Sequence, residues 1–344
     1  MTTTTDGPVP KANANLLSTA LPEKRNGITL TILGCGTLGI AILSGILSSL
    51  AEQRSPSSSG TATPSEDLPS QIPNKFIGCV TRPASAKRIE KELSHLTDSL
   101  TVLQNGNIRG VKEADVVLLG CKPYNLSTVL QEEGMKEALK GKFLISILAG
   151  VPVSQIEETI YGPESSKTLP PDPATDGRCR IIRVMPNTAA LIRESMTVIA
   201  TSNPPLPSHL HTLVTWMFQR VGRVVTLPPS QMDACTALCG SGPATFALVL
   251  EAIADGAVAM GLPRAEAQFM AAQTMRGASG LVLNGEHPAM VREKVSTPGG
   301  CTIGGLLVLE EGSLRGTVAR SIREATVVAS QLGKGMQGVN GTRF

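Results

Sequence analysis

Gly34-Cys-Gly-Thr-Leu-Gly39 sits directly after one short apolar run, residues 27–33, and directly before another, residues 38–50. A strand that turns through G-x-G-x-x-G into a helix is the opening unit of a doubly wound sheet. Each glycine has a task there. Gly34 makes the tight turn, Gly36 keeps side-chain bulk off a pyrophosphate, and Gly39 lets the helix pack closely on the strand. The helix start at Thr37 and Leu38 offers N–H groups and partial positive charge to phosphate oxygens. The loop predicts a bound dinucleotide, held by Gly34, Gly36, Thr37, Leu38 and Gly39.

Further strand-like runs lie at 75–81, 116–121, 143–148 and 180–184, with helical stretches between most of them, including a charged one from about Ala84 to Leu96. That alternation predicts an α/β fold, a Rossmann-type doubly wound parallel sheet with helices on both faces, over residues 27–227. Two stretches interrupt it. Ser, Pro, Thr and Gly fill 13 of the 24 positions between about 51 and 74, and residues 162–179 are similarly rich in Pro, Ser and Asp. Such segments cannot bury a core and read as flexible surface insertions, and residues 1–26 as a disordered tail. Beyond Pro228-Pro229 the strand runs stop. Helices are expected over about 231–261, 263–284, 287–295, 302–311 and 313–332, with Gly261, Gly285 and Gly333 as stops. They form a C-terminal all-helical unit, residues 228–337. Its stretch Ala244–Met260 is apolar almost all round, more than one packed face can bury. A homodimer, or a higher homo-oligomer built on dimers, is expected.

Several function classes are disfavoured. A net charge of +3 with no basic stripe gives no footprint for nucleic acid. The apolar stretch 244–260 carries Glu251 and Asp255 and is rich in Ala, which suits a buried helix better than a bilayer span, so no membrane partner is expected. Seven cysteines without a C-x-x-C pair indicate reduced thiols and a cytoplasmic location. Cys235 and Cys239 lie four apart, but no His or acid is spaced to complete a zinc site, so no metal is expected. The four histidines, 95, 209, 211 and 287, lie in no nucleophile-plus-base setting.

The position that reads the ribose falls near Thr81-Arg82, where no acid stands ready for a 2′-hydroxyl. Arg82, with Ser85 and Lys87 or Arg88 nearby, suits a 2′-phosphate through charge-assisted hydrogen bonds. The expected cofactor is NADPH, with NADH as the alternative. Two glycine-rich turns in the helical unit, 239–244 and 296–302, put backbone N–H groups and small hydroxyls at helix starts, which suits a carboxylate. Helix capping and close packing remain the alternative for both turns. The lack of an obvious acid–base residue fits reduction of a cyclic imine, which needs no protein proton donor if the substrate arrives protonated.

Together these residues resemble the pyrroline-5-carboxylate reductase family over about residues 28–332. The likeness rests on the glycine loop, Gly120-Cys-Lys-Pro123, Ser146-Ile-Leu-Ala-Gly150, Arg183-Val-Met-Pro-Asn-Thr188, Gly240-Ser-Gly-Pro-Ala244, Gly261-Leu-Pro263, His287-Pro288 and Thr297-Pro-Gly-Gly-Cys-Thr-Ile303. The resemblance implies hydride transfer from NAD(P)H to the C=N carbon of 1-pyrroline-5-carboxylate, giving L-proline, at an active site on a dimer interface. By analogy, Cys121, Lys122, Pro123, Ala149 and Gly150 lie along the nicotinamide half of the cofactor, and Asn107 near the adenosine ribose. Met185–Thr188 forms part of the cleft wall. Ser241, Gly242, Gly300 and Thr302 position the substrate, the last two from the same subunit or its partner. Cys239, Thr245 and Cys301 depart from the family's common Ser, Tyr and Thr or Ala, which favours recognition by backbone rather than by those side chains. A β-hydroxyacid dehydrogenase on the same architecture would need a catalytic lysine on the long helix, and Met232–Met260 contains none. A non-catalytic NADPH sensor would leave the second glycine turn and the Met-Pro-Asn-Thr element without a substrate to serve.

Overall fold

The computed structural model describes residues 27–54, 68–163, 165 and 177–333. The first unit runs β1 (Ile28–Leu33), α1 (Thr37–Arg54), β2 (Pro73–Val80), α2 (Pro83–Leu93), β3 (Leu100–Gln104), α3 (Asn107–Glu113) and β4 (Val116–Leu119). It continues through α4 (Leu126–Leu130), α5 (Met135–Ala138), β5 (Phe143–Ser146), α6 (Val153–Tyr161), β6 (Arg180–Met185), β7 (Ser195–Ala200), α7 (Ser208–Gln219) and β8 (Gly222–Leu227). All eight strands form one sheet in the order β3-β2-β1-β4-β5-β6-β7-β8. The first six are parallel, as the alternation predicts.

Three strands go beyond the sequence reading. β3 is an edge strand, only partly buried, and β7 and β8 extend the sheet at its far side. β7 runs antiparallel to β6, which adds one antiparallel pairing to the parallel sheet that the alternation predicts. The reason is local: the chain leaves β6 through Pro186-Asn187 and a short 3₁₀ turn, Thr188–Ile192, too short for the crossover a parallel neighbour requires. The helix α1 reaches Arg54 and β2 starts at Pro73, so ordered structure enters both ends of the segment read as an insertion. Residues 55–67, 166–176, 1–26 and 334–337, on which the readings of insertion, tail and C-terminal end fall, lie outside the described residues.

Two apolar layers sandwich the sheet. On one face Leu30, Ile32 and Val116 pack with Ile42, Leu43 and Ile46 of α1 and with Trp216 and Phe218 of α7. On the other, Leu33, Val117 and Leu144 pack with Leu126, Met135, Ile156 and Ile160. Thr31, fully buried, satisfies its hydroxyl on the Gly110 carbonyl at 2.8 Å, so the sheet centre carries a polar atom without an unmet hydrogen bond.

Beyond β8 only helices follow among the described residues. These are α8 (Met232–Cys235), continued by a π-helical turn at Thr236–Gly240, then α9 (Gly242–Ala259), α10 (Arg264–Leu283), α11 (Pro288–Lys294), α12 (Cys301–Glu311) and α13 (Leu314–Gly333). Gly261 and Gly285 close α9 and α10 at φ of +95° and +101°, backbone angles that favour glycine. Met232 and Cys235 pack on Met185, Val198 and Ala200, joining the helices to the sheet. The α13 helix packs back on α8 and the π turn, and α9 pairs with α10. The rest is open: Phe246, Leu248, Phe269, Leu283, Leu307 and Val308 are all exposed.

Gly222 has φ +151°, and a Cβ there would stand 2.0 Å from the Ser195 carbonyl oxygen. Gly222→Ala is expected to destabilise the far side of the sheet by about 3 kcal/mol or more, read as a lowered midpoint in urea unfolding. An unchanged midpoint would refute the close approach of β7 and β8.

Candidate active site

In a doubly wound sheet, ligands bind outside the carboxyl ends of the strands where the strand order reverses, here between β1 and β4. The glycine loop lies at that point. Gly34 has φ +76°, and a Cβ on it would meet the Cys121 backbone at 2.7 Å, so the loop turns against the end of β4 with no room for a side chain. The amides of Gly34 and Cys35 are held by the Cys79 carbonyl at 3.1 and 3.0 Å, and Gly120 N–H donates to Leu33 at 2.8 Å. A Cβ on Gly39 would stand 3.2 Å from Ile32 and 3.3 Å from the Cys35 sulfur, so a side chain there would crowd both. Gly36 differs: a Cβ there meets nothing nearer than the Gly34 oxygen at 4.0 Å. The space above Gly36 is open, and Thr37 and Leu38 begin α1 beside it, where the first N–H groups of a helix lack partners within it. That cradle fits a pyrophosphate.

The other named residues line up along the same edge, each just after a strand. Arg82 follows β2 as the exposed N-terminal cap of α2. Arg88, one turn into α2, donates to the Thr37 hydroxyl at 3.1 Å and to Glu92 at 2.7 Å, so this basic group engages the glycine loop itself. Asn107 follows β3 and donates to Glu132 at 3.0 Å. Cys121, Lys122 and Pro123 follow β4; Lys122 is exposed, and burial pushes the half-buried Cys121 thiol up to about 11, which keeps it protonated. Ala149 and Gly150 follow β5, Ala149 exposed and Gly150 at φ +74°. Burial likewise raises Cys35 and Cys79 to about 12, so neither is a nucleophile.

Beyond β6, Asn187 is the joint between the two units. Its backbone N–H donates to the Ser195 hydroxyl at 3.0 Å, its side-chain oxygen accepts from Ala189 N–H at 3.0 Å, and its side-chain nitrogen donates to the Cys239 carbonyl at 3.0 Å. The last bond grips the π turn, which widens the helix by one residue just before Ser241 and Gly242; such bulges favour functional sites. Gly240 lies beside Met185, where a Cβ would meet the sulfur at 3.5 Å. A second strut, Arg183 to Asp233 at 3.4 Å, ties β6 to α8. Sequence reasoning missed both struts; an arginine inside the apolar run Ile181-Ile-Arg-Val-Met185 was the available signal.

The second glycine turn does not join this cluster within one chain. Gly300 caps α12, which packs on α13, and among the described residues no hydrogen bond links 296–302 to the sheet unit. Of the histidines, His287 caps α11 by accepting from Ala289, and His209 and His211 lie on α7. A cavity of about 740 Å³ lies at the opposite edge of the sheet, among Lys75, Asp98, Asp115 and Lys142, and shares no residue with the site. Among the described residues, no group of His, Cys, Asp and Glu could hold a metal ion.

A sheet in the order 3-2-1-4-5-6 with a glycine loop at its reversal and a helical unit docked on its carboxyl edge defines a dinucleotide-dependent oxidoreductase architecture. Residues 229–332 match the family model described as pyrroline-5-carboxylate reductase dimerisation, and residues 29–150 that described as NADP oxidoreductase coenzyme F420-dependent. The chain is 63% identical over 317 residues to pyrroline-5-carboxylate reductase of Lophium arboricola, covering 92% of this chain and 97% of that one. It is 54% identical to the enzyme of that name from Neurospora crassa, covering 94% and 99%. The structure of 1-pyrroline-5-carboxylate reductase from Streptococcus pyogenes superposes with a TM-score of 0.66 at 25% identity, over 89% of this chain and all of that one. The chain belongs to the pyrroline-5-carboxylate reductase family.

Gly34 and Gly36 should fail differently when substituted. Gly34→Ala strains a positive φ and strikes backbone, so it lowers the unfolding temperature. Gly36→Val keeps a normal fold and weakens dinucleotide binding by about 100-fold or more, read by fluorescence titration. Retained binding in Gly36→Val would place the pyrophosphate elsewhere.

Proposed function

We propose that this chain reduces 1-pyrroline-5-carboxylate to L-proline with NADPH, at a site completed by the partner subunit of a homodimer. The observation that carries this reading is the juxtaposition, through Asn187, of the dinucleotide edge with the Ser241-Gly242 turn. When bound, the reduced nicotinamide supplies the hydride. The chain's own part is to bind, orient and exclude water. The glycine loop and the start of α1 hold the pyrophosphate, and Arg82 the 2′-phosphate, with Asn107 at the adenosine ribose. Residues 121–123 and 149–150 seat the nicotinamide half over the end of β4 and β5. Ser241 and Gly242 offer a hydroxyl and an N–H group to the substrate carboxylate, while the ring nitrogen arrives protonated and needs no acid from the protein.

Gly300 and Thr302 lie apart from the site of their own chain, so they serve the partner's. Support comes from the exposed apolar sides of α9, α10 and α12, an area of hydrophobic surface that a monomer rarely leaves uncovered. Pro229–Ala259 is long and apolar enough to cross a membrane by length and composition. Its acids Asp233, Glu251 and Asp255 and its π turn suit a subunit interface better than lipid. Seven free cysteines support a reducing, cytoplasmic setting.

Mixing the protein with NADPH and 1-pyrroline-5-carboxylate should give substrate-dependent loss of nicotinamide absorbance; no loss would sink the assignment. Arg82→Ala is expected to weaken NADPH about 10–100-fold while leaving NADH affinity unchanged, the loss of one charge-assisted bond. Equal losses for both cofactors would remove Arg82 from the 2′-phosphate. Thr302→Ala, or Gly300→Ala, whose Cβ would strike the Thr297 hydroxyl at 2.4 Å, should raise KM for the imine about tenfold with NADPH affinity intact. A fall in NADPH affinity instead would put that turn in the cofactor subsite.

A further inference from the structure

Arg88 and Glu92 lie four apart on α2, as do Ile89 and Leu93. The apolar pair is fully buried in the core that α2 shares with α1 and the sheet, which anchors the helix. The charged pair falls on the neighbouring stripe, and there Arg88 Nε donates to Glu92 at 2.7 Å. An exposed pair of this kind adds little to stability by itself. The guanidinium does more than pair, because its Nη1 donates to the Thr37 hydroxyl at 3.1 Å, across 51 residues of chain. A guanidinium is a planar fork, so holding Nε on Glu92 also aims Nη1. A lysine, a point charge on a flexible stem, would not be aimed in this way.

Thr37 is the first residue of α1 and follows Gly36, beside which the space is open. Its side chain is exposed at that space. A hydroxyl has one proton to donate and two lone pairs to accept with. Nη1 of Arg88 occupies a lone pair, so the proton is left for a phosphate oxygen in the cradle. A phosphate bound there stands two hydrogen-bond lengths from the guanidinium, about 6 Å, which is inside the screening distance of about 8 Å at physiological salt. The positive charge of Arg88 is therefore felt at the pyrophosphate. Its sequence position beside Arg82 suits a 2′-phosphate, but in the fold Arg88 turns to the glycine loop.

We propose that Arg88 is a positioning residue for the dinucleotide: held by Glu92, it orients the Thr37 hydroxyl as a donor to the pyrophosphate and brings a positive charge to it. The effect is common to NADPH and NADH, because both carry the pyrophosphate. Arg82 acts on the 2′-phosphate and so on NADPH alone. The proposal rests on the reductase reading only in placing the pyrophosphate at the glycine loop.

Fluorescence titration of the full chain with NADPH and with NADH tests it. Arg88→Met should weaken both cofactors alike, by about tenfold, with the unfolding temperature of the free protein unmoved, as for other surface substitutions. Thr37→Val should also weaken both, whereas Thr37→Ser, which keeps the hydroxyl, should bind as the wild type does. The double variant Arg88→Met/Thr37→Val should lose clearly less than the product of the two single losses, since the two residues act through one contact. A loss confined to NADPH would move Arg88 to the 2′-phosphate, and losses that multiply would separate it from Thr37. Unchanged affinity, or a loss matched by a lower unfolding temperature, would reduce it to a surface ion pair. Each of these overturns the proposal. Gly36→Val tells the two levels apart: wild-type affinity in that variant would displace the pyrophosphate itself, whereas weak binding there beside unchanged binding in Arg88→Met would defeat the role of Arg88 alone.

Discussion

β1 and β4 lie side by side at the centre of the sheet while the chain leaves them toward opposite edges, and the rest of the molecule depends on that reversal. It opens a crevice at the carboxyl edge and sends the chain end of every parallel strand toward it. A Cβ on Gly34 would stand 2.7 Å from the backbone of Cys121, and that lack of room expresses the constraint. No residue with a Cβ could turn there, and with the turn goes the direction of α1. Cofactor affinity, placement of the nicotinamide edge and the docking of the helical unit all inherit from this one close approach.

The second level of organisation is polar. The apolar layers hold sheet to helices, but they do not set where the substrate turn stands relative to the cofactor edge. Asn187 and the Arg183–Asp233 pair do, from the end of β6 to the first helical segment beyond the sheet. Asn187 and Arg183 are buried, with Asp233 partly exposed, and for a buried group the loss of its hydrogen-bond partner is costly. The π turn gripped by Asn187 trades helical regularity for one extra residue of reach at Ser241.

The fingerprint and the helical unit were legible in the sequence because their causes are local. Gly34, Gly36 and Gly39 each answer a steric demand within six residues, and Gly261 and Gly285 stop helices by backbone conformation alone. The direction of β7 was not legible, since a strand's orientation is set by its partner and not by its composition. β3 escaped notice as a short edge strand with little burial. Asn187 could be placed on the cleft wall from its motif, but its bond to Cys239 joins residues 52 apart and exists only in the fold. Gly300 and Thr302, placed beside the substrate by their motif, form no hydrogen bond to the sheet unit among the described residues, and only the proposed partner subunit would bring them to a site.

Asn187 also determines where this protein can be cut and recombined. Composition marks Pro228-Pro229 as the border between units, yet the amide that registers the second unit lies upstream, at the end of the sixth strand. A cofactor domain exchanged at residue 228 would bring a foreign β6 terminus, and the Cys239 carbonyl would face whatever side chain came with it. The inheritable module is therefore β6 through the helices, with the first five strands as the replaceable part. A lineage or an engineer seeking a new cofactor preference has freedom up to Ser146, and little beyond it.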